Sequence, residues 1–299
     1  MFKFNKIAQR SVIQTSFYKY TIKVTQKIKI GIADISDLHQ KAKDISEELR
    51  KEDRVIEIST FKTENDLPYS LLSSAIKNNE IDIALVNLYE VPVFKDKDII
   101  IAGLSERVDP GESLVVRSKY VDKNADFRLG AGTRISVADT RQLKQLAMVR
   151  PDLYFTENYK DLRDLPFILN SSLADAAIVQ NQETDMILKY ISGFEIIKLN
   201  PKEFIPQPGS GATAYLTHSE NIEIRRIIKS IHCKDTANVT NNERRLKQLA
   251  GENTLGAYCY KDAGGYFHML AFKSDEHAQT VRYSQSTSAG LAEKLFQSI

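Results

Sequence analysis

A two-lobed α/β protein with a small α+β third domain is what this sequence predicts, on three observations. Short apolar strands alternate with amphipathic helices from residue 28 to 199, the same plan is used twice, and a Pro/Gly-rich break at 204–216 precedes a change of style. The first unit opens on "IKIGIA" (28–33), followed by "ISDLHQKAKDISEELRKE" with apolar residues at helical spacing. "RVIEIST" (54–60), a helix at "YSLLSSAIKN", and the strands "IDIALV" (81–86), "IIIAGL" (99–104) and "SLVVRS" (113–118) come next. The second unit runs through "RISVAD" (134–139), a helix at "TRQLKQLAMV", the strand "LYFTE", a helix around 160–172, "AAIVQ" (176–180), a helix and "FEIIKL" (194–199). Continuous apolar strands between such helices predict mostly parallel sheets covered on both faces.

The break, "FIPQPGSGATAYL", fixes the backbone at Pro206 and Pro208 and frees it at Gly209 and Gly211, as a crossing between lobes requires. Beyond it come helices over 220–232 and 241–249, strands near 255–260, 266–272 and 280–285, and a terminal helix. The expected division is lobe one at 27–107 with 200–219, lobe two at 108–199 and the α+β domain at 222–299, behind a basic extension at 1–26.

Composition narrows the function classes. Of 299 residues, 42% are apolar and 27% charged, the balance of an ordinary globular protein. The two cysteines, Cys233 and Cys259, form neither a disulfide framework nor a metal-ligand spacing, so no metal is expected. No apolar run approaches the roughly 20 residues of a membrane span, which argues against an integral membrane protein. Residues 1–33 hold seven bases and no acid; without those seven, 34 bases face 39 acids and the body carries −5. Such a body gives no support for nucleic-acid binding. The acid-free stretch, "MFKFNKIAQRSVIQTSFYKY", resembles a mitochondrial transit peptide, with a basic arm on a cytoplasmic protein as the alternative.

A collinear series of segments carries a family resemblance: "AIKNNEIDIALVNLYEVPV", "IIIAGLSERVDPGESLVV", "GTRISVADTRQLKQLAMVRPDL", "LADAAIVQ", "LNPKEFIPQPGSGATAYL", "NERRLKQLAGENTLGAY" and "GLAEKLF". From about residue 28 to the end the chain resembles hydroxymethylbilane synthase, also called porphobilinogen deaminase. The resemblance implies two periplasmic-binding-protein-like lobes and a third domain. It also implies a reaction that links four porphobilinogens head to tail, with loss of ammonia, on a dipyrromethane cofactor.

Several of that reaction's requirements are altered here. The family's cofactor cysteine, in a Gly-Gly-Cys turn, falls on Gly251, while Cys259 lies inside the following strand and reads as a small apolar residue. The Lys-Asp-Val-Pro motif reads Tyr89-Glu90-Val91-Pro92, so the catalytic carboxylate becomes Glu90, one methylene longer, or simply a polar residue at a strand end. Polycarboxylate pyrroles need forked arginines. The family's first falls on Ala33 and its Arg-Arg pair on Arg141-Gln142; later ones fall on Tyr159-Lys160-Asp161, Leu165 and Asp185-Met186. The mobile Gly-Gly-Lys-Gly loop reads "TENDLPYS".

The expectation is therefore a degraded synthase with no catalytic residues and no dipyrromethane, acting as a structural or interaction subunit among other protein subunits. Its cleft is expected to be neutral or acidic, and Gly251 to sit in a short turn facing the mouth between the lobes. One alternative is an active synthase with a divergent site. Another is a small-ligand binding protein using Arg141, Asp139 and Glu90 as polar contacts in the inter-lobe cleft.

Overall fold

The structure, a computed structural model, describes residues 26–298 except 35–37, 51–53, 64–66, 95, 157–158, 160, 252–254 and 274–278. The extension up to residue 25, Lys160, residues 64–66 of "TENDLPYS" and residues 252–254 thus lie outside the described residues. In chain order the first lobe contributes β1 (Gln26–Ala33), α1 (Leu38–Leu49), β2 (Arg54–Phe61), α2 (Pro68–Lys77), β3 (Ile83–Asn87) and β4 (Ile99–Leu104). The second contributes β5 (Glu112–Arg117), β6 (Arg134–Ser136), α3 (Thr140–Val149), β7 (Tyr154–Phe155), α4 (Leu165–Asn170), β8 (Ala176–Gln180), α5 (Thr184–Leu188) and β9 (Phe194–Lys198). The chain then returns as β10 (Thr213–His218) and ends in α6 (Ile222–Ile228), α7 (Lys234–Ala250), β11 (Gly256–Lys261), β12 (Phe267–Lys273), β13 (Gln279–Gln285) and α8 (Leu291–Phe296).

The strands form three sheets, ordered β2-β1-β3-β10-β4, β7-β6-β8-β5-β9 and β11-β12-β13. The two large sheets are mostly parallel as expected, each with one strand reversed. β1 runs parallel to β2 and β3, and β6 parallel to β7 and β8, but β10 is antiparallel to both neighbours and so is β5. Each exception is the strand that enters its sheet from the other lobe. It arrives through a crossing instead of a βαβ connection, so right-handed crossover rules do not set its direction.

Burial follows the patterning. Ile28, Ile30 and Ile32 are fully buried in the interior strand β1, and Leu38, Ala42, Ile45 and Leu49 turn one apolar stripe of α1 onto that sheet. Gly31 lets Ile81 pack close between them, since a Cβ there would stand 2.4 Å from Ile81 Cδ1 and push that side chain aside. In the third domain α7 and α8 cover one face of the sheet around Leu246, Ala257, Cys259, Met269 and Leu295. α7 begins seven residues before the expected 241. Its Thr/Asn-rich first turns are poor intrinsic helix formers, and tertiary packing holds them: Thr236 and Thr240 are buried, with Thr240 Oγ1 donating to Thr236 O.

Candidate functional site

The inter-lobe cleft is bounded by strand ends and helix starts, where an α/β fold collects ligand-binding groups. On the lobe-two side Asp139 caps α3, accepting from the backbone N of Gln142 at 2.8 Å. It also takes Arg141 Nη2 at 3.3 Å and Gln207 Nε2 at 2.7 Å. Arg141 itself is 0% exposed. Its two Nη atoms meet Glu112 at 3.1 and 2.6 Å, and Nη1 donates to Ile205 O at 2.7 Å. Glu112, also 0% exposed, further accepts from Gln142 and Gln180, both at 3.0 Å. Burial works against the Arg141 charge, but Asp139 and Glu112 outweigh it and hold the guanidinium above its ordinary pKa. Arg141 is therefore a buried cation paired with Glu112 and Asp139, not a surface residue. Asp139 is the more exposed of the pair, at 21%.

Three of the other positions at which the family carries bases are also built into the lobes. Ala33 and Leu165 are buried, and Tyr159 packs on the second-lobe core and donates its hydroxyl to Ile178 O at 2.7 Å. Asp185 is exposed on α5.

Away from the return crossing, two further side chains strap the lobes together among the described residues. Tyr89 Oη donates to Glu183 Oε1 at 2.9 Å, and Arg163 Nη2 donates to Thr63 O at 3.0 Å. Glu90 ends the 3₁₀ turn Leu88–Glu90 after β3 and is half-buried. The third domain grips that turn: Arg244 on α7 donates to Leu88 O, Val91 O and Pro92 O at 3.1, 2.7 and 2.7 Å. Burial pushes the Arg244 guanidinium down to about 10. Burial, then Arg244, also holds the Lys247 ammonium below its ordinary value. Lys247 O accepts the N–H of Gly251, which caps α7 in the left-handed region at φ 69° with nothing within 4 Å of a Cβ placed there. There is room for a side chain at Gly251, but no sulfur. Cys259 is 0% exposed and burial pushes its thiol well up; Cys259 and Cys233 line a recess between the third domain and the crossing.

Sequence reasoning named Asp139, Arg141 and Glu90 and missed Glu112, Tyr89–Glu183 and Arg163. Glu112 left one signal, an acid opening the apolar strand "ESLVVR". The straps left none, since each joins residues about a hundred positions apart.

A family model described as "Porphobilinogen deaminase, dipyromethane cofactor binding domain" matches residues 35–226. The chain is 27% identical over 224 residues to a probable porphobilinogen deaminase of Picrophilus torridus, covering 70% of this chain and 72% of that protein. It is 23% identical over 265 residues to the porphobilinogen deaminase of Oceanobacillus iheyensis, covering 83% and 81%. Against that of Natranaerobius thermophilus the identity is 24% over 207 residues, and the chain spans 61% of its length. Among solved structures it is similar to an ABC transporter protein from Parabacteroides distasonis, with TM-score 0.46, 14% identity and coverage of 69% of this chain and 70% of that one.

The matched span corrects the expectation that dipyrromethane has no place in this chain, because it is the domain that binds that cofactor and takes in both lobes. That expectation came from Gly251, which lies outside the span. What the residues do not supply is a thioether at Gly251.

Proposed function

The chain belongs to the porphobilinogen deaminase family, and from that premise we propose that it is a non-catalytic member, serving as a structural or interaction subunit of a larger assembly. The observation that carries this reading is Arg141: the surviving arginine of the family's pair is sealed at 0% exposure against Glu112. Porphobilinogen chains carry two carboxylates per ring and need forked donors that face the cleft. Here Ala33, Leu165 and Tyr159 occupy such positions as packed residues, and Tyr89 spends its hydroxyl on Glu183. Each charge-assisted hydrogen bond to a carboxylate is worth ~1.5–3 kcal/mol, so the loss of three or four removes most of the affinity for a growing polyanion.

The test is turnover. Purified full-length chain incubated with porphobilinogen should leave the substrate unconsumed; steady consumption would overturn the reading. Consumption accompanied by a dipyrromethane-sized mass increment on the chain would establish the second reading, an active deaminase with a differently held cofactor. The match to the cofactor-binding domain favours that second reading.

The proposal extends to delivery. The seven bases and absent acids of residues 1–33 support a mitochondrial destination, and the division at 27–107 with 200–219, 108–199 and 222–299 is retained as the domain plan. A chain lacking residues 1–25 should keep its folded body but lose co-purifying partners; unchanged partners would remove the extension from the argument.

A further inference from the structure

Beside the straps, where α4 and α5 of lobe two face the end of β1 in lobe one, lies a cavity of about 530 Å³. That is within the roughly 300–1,000 Å³ of small-molecule sites. Leu162, Pro166, Phe167, Met186, Ile187 and Tyr190 make its wall, and Phe167 and Tyr190 are each 67% exposed. Its charged groups are Asp34 from lobe one and Arg163 from lobe two. Arg163 is already neutralised, since its Nε and Nη2 both meet Asp161 Oδ2. Asp34 is positioned and ionised: Thr63 N and Oγ1 donate to Oδ1 at 2.9 and 2.7 Å, and these bonds hold its carboxyl below the usual range. Its Oδ2 takes no hydrogen bond among the described residues. The cavity thus pairs an apolar, partly aromatic wall with two carboxylates, Asp34 and the Asp161 that holds Arg163, against one guanidinium, a net charge of −1.

We propose that this cavity binds a small organic monocation, an amine on an aromatic or aliphatic body, with the ammonium on Asp34 Oδ2 and the body against Phe167 and Tyr190. A carboxylate ligand is disfavoured there, because Asp34 and Asp161 outnumber Arg163. The inference rests on the cleft as read above, but it concerns binding and not turnover, so the two fail separately.

Calorimetry on the full chain with phenethylamine and phenylacetate, which share a phenyl body and differ in charge, tests it. Phenethylamine should bind at least about tenfold more tightly than phenylacetate, the least that one charge-assisted bond implies. Asp34→Asn keeps the acceptor for Thr63 and should erase that preference, while Phe167→Ala, at an exposed position, should weaken the amine severalfold without changing the fold. Equal binding of the two probes, no binding of phenethylamine at millimolar concentration, or unchanged affinity in Asp34→Asn would each overturn the proposal. Porphobilinogen consumption would overturn the non-catalytic reading and leave this one to its own result.

Discussion

Glu112 and Glu243 are both 0% exposed and both gripped by two prongs of an arginine, yet they do different work. Among the described residues the Glu112 carboxylate is met only by side chains, Arg141, Gln142 and Gln180, all of lobe two. Glu243 is met by Arg107 and by two backbone N–H groups, Gly209 at 2.8 Å and Cys259 at 2.7 Å. Arg107 in turn donates to Ser210 O and Cys259 O. Glu243 therefore ties α7 and β11 of the third domain to both crossings, whereas Glu112 organises one end of one lobe. The difference lies in the alternatives left to the partners on removal. Side-chain donors can turn elsewhere; backbone donors fixed in a crossing cannot.

The comparison is most easily broken at Glu243. Glu243→Leu strands Arg107 and two backbone donors, and should cost about 3–5 kcal/mol in chemical denaturation; a loss under about 1 kcal/mol would show that the third domain is held by packing alone. Next comes Glu112→Gln, which keeps an acceptor for Arg141 and should cost about 2 kcal/mol. The double replacement Glu112→Leu with Arg141→Met should recover most of that, since apolar substitutes for a buried pair are often neutral or better. If the double variant is as damaged as the single one, Glu112 does more than pair with Arg141.

Smaller effects are expected at the straps. Tyr89→Phe removes one half-buried hydrogen bond, worth about 1 kcal/mol, and small-angle scattering should show the lobes opening; unchanged stability and shape would leave closure to Arg163 and packing. The smallest effect is that of Asp34, whose carboxyl is held low chiefly by Thr63. A depressed folded pKa stabilises above the unfolded value of about 3.9 and is lost as pH falls through the folded one. Wild type should therefore be ahead of Asp34→Asn at neutral pH and lose that lead below about pH 4. A lead independent of pH would mean that the carboxyl's charge is not what Thr63 holds.

What the sequence determined by itself was local and periodic. The stripe Leu38, Ala42, Ile45, Leu49 declared α1, the run "IKIGIA" declared a strand buried on both faces, and Pro206, Pro208, Gly209 and Gly211 marked the return crossing. The family could be read from collinear segments for the same reason, because a shared core constrains its residues in order along the chain. Tertiary structure decided the rest. It ran β5 and β10 against the other strands of their sheets, and it set Arg141 against Glu112 as half of a buried pair. Periodicity shows which face of an element is apolar, but direction across a crossing depends on where the chain re-enters. The role of a charge depends on what faces it, and Glu112 stands 29 positions from Arg141, Glu183 94 from Tyr89 and Glu243 136 from Arg107. No spacing along the chain records such encounters; only the folded backbone brings them within hydrogen-bond reach.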